Sequence, residues 1–342
     1  MQGRASFDTG DNSPRHGADS RAVSEMGKVR PGSVGGTALV LLTCDPGDGL
    51  AAWLTSLGSQ TIKPDRLLLI DSSSDDGTVG KARAAGFEVV IIAREDFSHG
   101  GTRQAAVEMI PDADVIIFLT QDAVLVHPKS LELLIERFAD PKVGAAYGRQ
   151  LPRPGAGPIE AHARLFNYPS RSAVRDAQDI PRLGIKTSFI SNSFAAWRRA
   201  ALLEVKGFPS HTIQNEDTYV ASKMILGGWK VAYVAEATVY HSHRHGYREE
   251  FRRYFDIGVF HARDPWIRRA FGNAEGEGFR YVRSELKYVG KRRRWAIAPA
   301  LLRTGLKLAG YKLGNFEAYL PGWAKGYLSK NEQYWRKGAR RG

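Results

Sequence analysis

Two clusters of acidic residues stand where a protein could hold a metal ion or move a proton. The first, Thr120 to Asp122, directly follows the apolar run Val115 to Leu119. The second, Asn215 to Asp217, opens a stretch whose apolar residues recur at helical spacing. A carboxylate at the end of a buried strand can hold a divalent cation, and a carboxylate can also act as a general base. Taken alone, either cluster is equally well explained as a turn or a helix cap.

A row of histidines gives the acidic clusters a chemical partner. His241, His243 and His245 alternate within five residues, so a strand would place their imidazoles on one face. Imidazole is a good ligand for a transition metal beside carboxylate and phosphate oxygens. A structural strand has little reason to carry three histidines so close together. The combination therefore favours a metal site over a set of unrelated caps.

Two further segments are suited to binding a nucleoside or a phosphate. Asp71 follows the apolar run Arg66 to Ile70 and opens a turn rich in serine and aspartate, so its carboxylate could accept hydrogen bonds from a nucleobase or a ribose. A plain Asx turn is the alternative. Ser98 to Arg103 brings two glycines and an arginine to the start of a predicted helix, where phosphate oxygens bind well.

Alternating strands and helices must position these residues. From Thr37 to about Ala146, short β-branched runs alternate with helical stretches, which predicts an α/β fold with crossover helices. Such sheets bind ligands at the carboxyl ends of their strands, where the polar residues fall. Gly148 to Lys186, rich in proline and glycine, is predicted to be irregular and to contain an acceptor-facing loop.

The predicted elements are short. The strands are Ala38–Thr43, Arg66–Ile70, Glu88–Ala93, Val115–Leu119, Phe189–Trp197, Val231–Val234 and Thr238–His241. The helices are Asp48–Gln60, Lys81–Ala85, Thr102–Met109 and Asp217–Leu226.

Positive charge is concentrated in the last hundred residues. The chain carries a net charge of +13, and residues 242–342 contain 23 Lys and Arg against 9 Asp and Glu, so the remainder is almost neutral. Aromatic residues lie among these charges, and Lys291 to Trp295 precedes a run with the pattern of an interfacial helix. The pattern predicts a helical basic region that contacts an anionic membrane. A nucleic-acid partner and a solvated surface are the alternatives.

The remaining composition limits the class of protein. Hydrophobic residues make up 43% of the 342 residues, enough for one large domain or two ordinary ones. Cys44, the single cysteine, excludes an internal disulfide and is predicted to be a buried thiol. No apolar run reaches the ~18 residues of a membrane span, and Met1 to Gly36 lacks a signal-peptide core and is predicted to be a disordered leader. These features predict a cytoplasmic protein.

From about Ala38 to His243, the chain resembles the inverting family-2 glycosyltransferases, which have the GT-A fold. The motifs of that family fall, in order, on Thr43–Asp45, Asp71–Thr78, Gly100–Gln104, Thr120–Asp122, Glu216–Asp217 and His241. Thr120 stands where the family has the first aspartate of its metal motif, which leaves Asp122 as the only carboxylate there. The segments Ser98 to Arg103 and Phe118 to Ala123 are similar to the bacterial rhamnosyltransferase branch.

The resemblance implies an architecture in three parts. Residues 1–36 would be a disordered leader and residues 37–246 a GT-A catalytic domain with a Rossmann-like, mostly parallel central sheet flanked by helices. Residues 247–342 would be a basic, aromatic and mostly helical extension. That extension would place the enzyme at the inner face of the cytoplasmic membrane, where a lipid-linked acceptor is found.

The resemblance also implies substrates and a cofactor. The donor would be a nucleotide-sugar, dTDP-L-rhamnose, and the acceptor a saccharide or lipid-linked saccharide of a bacterial O-antigen or exopolysaccharide. Manganese or magnesium would bind the donor's diphosphate. A galactofuranose or hexose donor is the nearest alternative, followed by a nucleotidyltransferase and by a nucleic-acid-binding protein, although no nucleic acid is expected as a partner.

Roles for single residues follow from the same resemblance. Asp217 would be the catalytic base with Glu216 in support, and Asp122 and His241 would hold the metal. The donor would contact Thr43, Asp45, Asp71, Ser73, Gly101, Arg103, Thr120 and Gln121. The acceptor would contact Asn192, Trp197, Trp229 and His243, although for the two tryptophans core packing is the alternative.

Overall fold

The computed structural model describes residues 35–242, 245–272 and 275–339. Residues 1–34 of the predicted leader and His243 therefore lie outside the described residues. Within the described part, no helix is long and apolar enough to cross a membrane.

Nine strands of the described residues form one mixed sheet. They are β1 (Thr37–Thr43), β2 (Arg66–Asp71), β3 (Glu88–Ile91), β4 (Val115–Thr120), β5 (Val124–Leu125), β6 (Val143–Leu151), β7 (Ala173–Arg175), β8 (Phe194–Arg198) and β9 (Lys230–Tyr240). The order is β3-β2-β1-β4-β8-β6-β9-β5, and β7 pairs with β9. The first four strands are parallel, as the alternating pattern predicts. Antiparallel pairs begin where β8 joins β4.

Fourteen helices are described around this sheet. They are α1 (Gly49–Gly58), α2 (Thr78–Ala84), α3 (His99–Met109), α4 (Ser130–Ile135), α5 (Pro158–Asn167), α6 (Ile180–Leu183), α7 (Arg199–Glu204), α8 (Glu216–Leu226), α9 (Tyr247–Arg263), α10 (Pro265–Phe271), α11 (Glu275–Arg292), α12 (Ile297–Asn315), α13 (Gly322–Leu328) and α14 (Glu332–Ala339). The predicted α/β class and the helical C-terminal region are both confirmed.

Both faces of the sheet are covered, so its central strands are apolar on both sides. In β1, Ala38 and Val40 pack into one hydrophobic cluster with residues of α3, α8 and α9. Leu39 and Leu41 point the other way and pack with residues of α1, α2 and α4. A reactive site can therefore form only at the polar ends of the strands.

The pairing of β6 with β9 forms one side of the sheet edge where the polar strand ends lie. The two strands run parallel, with register shifts between Val143 and Ala145 and between Gly148 and Arg149. At Gly148 a Cβ atom would come within 2.2 Å of the Phe194 ring, so the second shift needs glycine. Beyond it, Leu151 pairs with Tyr240, so the carboxyl ends of the two strands finish side by side.

The predicted irregular segment, Gly148 to Lys186, is largely structured, and the prediction of an irregular loop is wrong over most of it. It contains the end of β6, helix α5, strand β7 and helix α6. Helix α5 begins at Pro158, a favoured first-turn position, and packs against α11. Short elements separated by proline and glycine produce little periodicity, and for that reason the sequence pattern missed them.

Glycines let two helices of the C-terminal region cross very closely. A Cβ atom on Gly258 of α9 would lie 2.3 Å from the Tyr311 carbonyl oxygen of α12. A Cβ on Gly310 or Gly314 would lie 2.4 Å or 2.1 Å from a carbonyl oxygen of α9. Because these neighbours are backbone atoms, no side-chain movement can relieve the contact. The α9–α12 crossing therefore depends on these glycines.

Gly314→Ala is expected to destabilise the protein, because α12 would have to move away from α9. Overpacking of this kind costs about 1 to 3 kcal/mol, so the melting temperature should fall by several degrees in differential scanning fluorimetry. Gly305→Ala is the matched control, since no atom lies within 4 Å of its added Cβ. That substitution should leave stability unchanged or raise it slightly. Equal melting temperatures for the two variants would contradict the close crossing.

Candidate functional site

A cleft opens between the carboxyl end of β4 and the N-termini of α3 and α8. Its lining residues are all polar: His99, Arg103, Thr120, Ser191, Asn192, Ser193, Gln214, Asn215, Glu216 and Asp217. The structure therefore brings Thr120 of the first cluster into one cleft with the second cluster, Asn215 to Asp217. Asn215, with φ of 61°, adopts the left-handed conformation that turns the chain into α8.

Asp217 faces this cleft with two backbone donors behind it. Its Oδ2 accepts from the Asn192 N–H at 3.1 Å, and its Oδ1 accepts from the Thr218 N–H at 2.7 Å. Burial, and secondly the negative charge of Glu216, raise the pKa of the Asp217 carboxyl to about 7. A carboxyl with that pKa can take up a proton near neutral pH, which suits the predicted catalytic base.

Glu216 is a fixed buried charge. Burial alone would raise its pKa, but Arg103, His99 and the Asn192 side chain together hold the pKa below its ordinary value. The Arg103 Nη1 lies 3.0 Å from Glu216 Oε1, and the Asn192 Nδ2 donates to the same oxygen at 3.0 Å. Glu216 thus keeps its negative charge beside Asp217, in agreement with a supporting role.

Two predicted donor contacts in α3 serve the protein itself. Arg103 is only 5% exposed, and its Nη1 donates to the His99 carbonyl and pairs with Glu216, so the guanidinium is held by protein groups at the wall of the cleft. The Gly101 N–H donates to Ser98 Oγ, the N-cap of α3. The glycine with the strictest requirement is Gly100, where a Cβ would lie 1.8 Å from the Pro209 carbonyl oxygen.

The predicted metal ligands lie next to each other at the edge of the sheet. His241 Nε2 is 3.3 Å from Asp122 Oδ2. Thr120 Oγ1 donates to Asp122 Oδ1 at 2.6 Å, so the threonine that replaces an aspartate orients the remaining carboxylate. Adjacent ligands of an octahedral Mg²⁺ or Mn²⁺ are about 3 Å apart, which the Asp122–His241 spacing fits.

This chain supplies few ligands of its own. The described residues contain no group of three or more His, Cys, Asp or Glu side chains arranged to hold a metal. A cation at Asp122 and His241 would therefore need oxygen ligands from a bound phosphate group. The predicted alternation of three histidines along a strand is wrong, because β9 ends at Tyr240. His245 instead contacts Glu249, with Nδ1 and Oε1 2.9 Å apart.

The loops after β1, β2 and β4 are bound to one another and form the rim of the site. The Gln121 side chain accepts from the Cys44 N–H at 2.8 Å and donates to the Cys44 carbonyl at 3.1 Å, like a paired strand. Asp45 and Ser73 both have positive φ, 44° and 53°. Asp45 Oδ2 is 2.7 Å from Arg94, and its N–H donates to Ser74 Oγ.

Asp71 holds these loops together from inside. It is fully buried, and its carboxylate accepts from Thr43 Oγ1, Ser74 Oγ and the Ser74 N–H, each at 2.7 Å. The structure therefore places Asp71 and Thr43 behind the rim instead of in direct contact with a nucleoside. Cys44, predicted to be buried, is exposed, so that prediction is wrong. The apolar run ends one residue earlier than the thiol.

Neither tryptophan proposed for acceptor stacking is placed for that role. Trp197 is fully buried against Phe208, and its Nε1–H donates to Asn192 Oδ1 at 2.9 Å. Trp229 directly precedes β9, so it lies at the opposite end of that strand from His241. Core packing was the alternative, and it is the correct one for Trp197. Asn192 does reach the cleft.

Several residues of the site were missed in the sequence. The Oε1 atom of Gln150, at the end of β6, is 2.8 Å from His241 Nδ1. His99 lines the cleft, and burial lowers the pKa of its imidazole against a smaller, opposite effect of the nearby Asn331 side chain. Asn331 in turn donates to the buried Asp256 at 2.9 Å. A C-terminal segment therefore supports the cleft, and no local pattern announces such a long-range contact.

Comparisons with known proteins agree with this geometry. The family model described as Glycosyl transferase family 2 matches residues 39–205. The chain is 50% identical to the O-antigen chain rhamnosyltransferase RfbN of Salmonella typhimurium over 298 residues, covering 87% of this chain and 95% of that protein. It is 46% identical to the O-antigen chain rhamnosyltransferase WbaN of Salmonella anatum over 283 residues, covering 83% and 90%.

Solved structures with the same fold are far more distant in sequence. The mannosyltransferase PcManGT from Pyrobaculum calidifontis, in complex with GDP-Man and Mn²⁺, superposes with a TM-score of 0.53 at 17% identity, covering 87% of this chain and 86% of that one. Residues 1–349 of S. aureus TarS superpose with a TM-score of 0.51 at 14% identity, covering 90% and 91%.

The pKa of Asp217 is expected to depend on its charged neighbour. In a ¹³C-carboxyl NMR titration, Asp217 should show a midpoint at about 7. In Glu216→Gln the midpoint should fall by about 1 pH unit or more, because a nearby negative charge is lost and Arg103 is left without its partner. Asp256, whose pKa burial raises to about 6, serves as an internal reference that should not move. An unchanged Asp217 midpoint would rule out the coupling.

Proposed function

This chain belongs to glycosyl transferase family 2, and we propose that it transfers L-rhamnose from dTDP-L-rhamnose to a saccharide or lipid-linked saccharide during O-antigen synthesis. The family membership and the glycosyltransferase activity predicted from the sequence are confirmed. The choice of rhamnose is supported by two relatives at 46% and 50% identity, both O-antigen chain rhamnosyltransferases.

The observation that carries the reaction chemistry is a proton-accepting carboxyl in the same cleft as the metal-motif residues. Asp217 and Thr120 line one cleft, and Thr120 is hydrogen-bonded to Asp122. An acceptor hydroxyl held between them would meet a base on one side and the donor's anomeric carbon on the other. This is the arrangement that a direct displacement needs.

We infer a single displacement with inversion. The acceptor oxygen forms a bond to the anomeric carbon while the bond from that carbon to the diphosphate oxygen breaks. The proton of the acceptor hydroxyl passes to an Asp217 carboxylate oxygen, and the nucleoside diphosphate leaves with the electron pair. The N–H groups of Asn192 and Thr218 hold Asp217 in place, and the charge of Glu216 keeps it basic.

Asp122 and His241 would hold a divalent cation, manganese or magnesium, with the donor's diphosphate. Such a cation supplies positive charge that stabilises the leaving diphosphate. The 3.3 Å separation of Asp122 Oδ2 and His241 Nε2 fits two neighbouring ligand positions. The loop rim of Asp45, Ser73 and Gln121 would surround the nucleoside, with Asp71 and Thr43 fixing the rim from behind.

Residues 247–342 would serve as an extension that contacts the inner face of the cytoplasmic membrane, with residues 37–246 as the catalytic domain. The glycine face of α12 packs on α9, and its opposite face exposes Leu301 and Leu308, which are seven positions apart, with Leu302 exposed beside them. More exposed aromatic side chains lie in the same region: Phe279, Trp295, Phe316, Tyr319, Trp323 and Tyr327. Exposed apolar groups on a basic surface are the features of an interfacial contact with anionic lipid.

The donor and the base can be tested together. We expect dTDP-L-rhamnose with Mn²⁺ to raise the melting temperature more than UDP-galactofuranose or a UDP-hexose does. Asp217→Asn should keep that stabilisation but transfer rhamnose about 10²- to 10⁴-fold more slowly, which is the usual contribution of a general base. Product formation on a lipid-linked oligosaccharide measures the rate.

Asp48→Asn, a substitution of an exposed carboxylate in front of α1, is the control and should transfer at the wild-type rate. Selective stabilisation by a UDP-sugar would show that the donor is that alternative sugar nucleotide and not dTDP-L-rhamnose. Normal turnover by Asp217→Asn would remove Asp217 from the mechanism.

The membrane contact predicts flotation with phosphatidylglycerol vesicles at low salt. Leu301→Glu combined with Leu308→Glu should abolish flotation, because two carboxylates would replace apolar side chains at the lipid face. Leu226→Glu, at a leucine that is 50% exposed at the end of α8, is the matched control and should float like the wild type. Wild-type flotation of the double variant would exclude this face of α12.

A further inference from the structure

Gln150 is the buried centre of a hydrogen-bond network behind the predicted metal ligands. It lies in β6 and is 2% exposed. Its Oε1 is 2.6 Å from Arg164 Nη1 and 2.8 Å from His241 Nδ1, and its Nε2 is 3.0 Å from Ser191 Oγ. None of the family motifs found in the sequence includes Gln150 or Arg164.

The chemistry of arginine fixes which way the Gln150 amide points. A guanidinium has only N–H donors and no acceptor. The atom of Gln150 that faces Arg164 must therefore be the amide oxygen, and the amide nitrogen must face Ser191. Ser191 can accept that N–H because a hydroxyl oxygen has two lone pairs.

With the amide oxygen in place, the tautomer of His241 is also fixed. An oxygen acceptor at 2.8 Å requires a hydrogen on His241 Nδ1. In the neutral imidazole, Nε2 then carries the lone pair, and this lone pair is 3.3 Å from an oxygen of Asp122. Two electron-pair donors facing each other at this distance form a site that attracts a cation.

We propose that Gln150, itself oriented by Arg164, is a positioning residue that holds His241 in the Nδ1–H tautomer and directs Nε2 toward a cation shared with Asp122. The hydrogen on Nδ1 follows from the geometry alone, whereas an unprotonated Nε2 and its use in metal binding rest on the proposed function. Arg164 belongs to α5, so the helix predicted to be an irregular loop supplies the outermost member of this network.

The tautomer can be measured directly in the metal-free protein. Long-range ¹H–¹⁵N NMR of histidine-labelled protein at pH 8 distinguishes Nδ1–H from Nε2–H, and His241→Gln identifies the His241 signals. We expect Nδ1–H in the wild type and its loss in Gln150→Leu. Gln150→Glu should restore it, because a carboxylate accepts from both Arg164 and His241. An Nε2–H or doubly protonated His241 in the wild type would overturn the proposal.

Manganese binding provides the second measurement. Electron paramagnetic resonance titration of Mn²⁺ in the presence of dTDP should show about 10- to 100-fold weaker binding in Gln150→Leu, the usual effect of losing such a supporting hydrogen bond. Gln150→Glu should bind within a few-fold of the wild type. Equal affinity in the wild type and Gln150→Leu would overturn the positioning role.

The assignment of the Nδ1–H tautomer and the assignment of the metal site can fail independently. If the wild type shows the Nδ1–H tautomer but binds no Mn²⁺, the metal assignment fails and the tautomer assignment stands. If Gln150→Leu does not fold, Arg164→Met tests the same step, because it removes the donor that orients Gln150. That variant should give a mixture of tautomers at His241, and a pure Nδ1–H state would contradict the role of Arg164.

Discussion

The ionised Glu216 buried beside the cleft imposes the constraint that organises this site. A buried carboxylate is tolerated only when a cation and hydrogen-bond donors compensate it. Arg103 supplies the cation from α3, and Gly100 lets the start of α3 approach closely enough. Asn192 supplies a donor, and Trp197 from the sheet holds Asn192 in turn. Burial, and secondly the negative charge of Glu216 in this arrangement, raise the pKa of Asp217.

The sequence predicts the positions of strand ends better than the directions of side chains. β1, β2 and β4 were found because their apolar runs end abruptly in polar residues, whereas Asp217 and His241 were found from motifs at the start of α8 and directly after β9. Asp71 and Arg103 were also found, but both turn inward to satisfy other protein groups. Whether a polar side chain faces a ligand or a neighbour depends on partners far away in the chain. Gln150 and His241, 91 positions apart, are such a pair.

Ion pairs within the protein neutralise part of the positive charge of the C-terminal region. Glu250 pairs with both Arg303 and Lys307, and Glu317 pairs with both Arg263 and Lys325. Part of the positive charge is therefore used to fasten helices to each other. The glycine face of α12 has a similar effect on the apolar residues, because close packing on one side leaves the leucines of the other side exposed.

Because Asn331 lies near His99, residues 37–246 and residues 247–342 depend on each other in the folded protein. Asp256 of α9 holds the Ser329 hydroxyl, the Lys330 N–H and the Asn331 side chain, and Asn331 lies near His99, which lines the cleft. A hybrid that joined residues 37–246 to the C-terminal region of a relative would exchange a support of this cleft together with the proposed membrane surface. The two parts are adjacent segments of sequence, but they are not interchangeable modules.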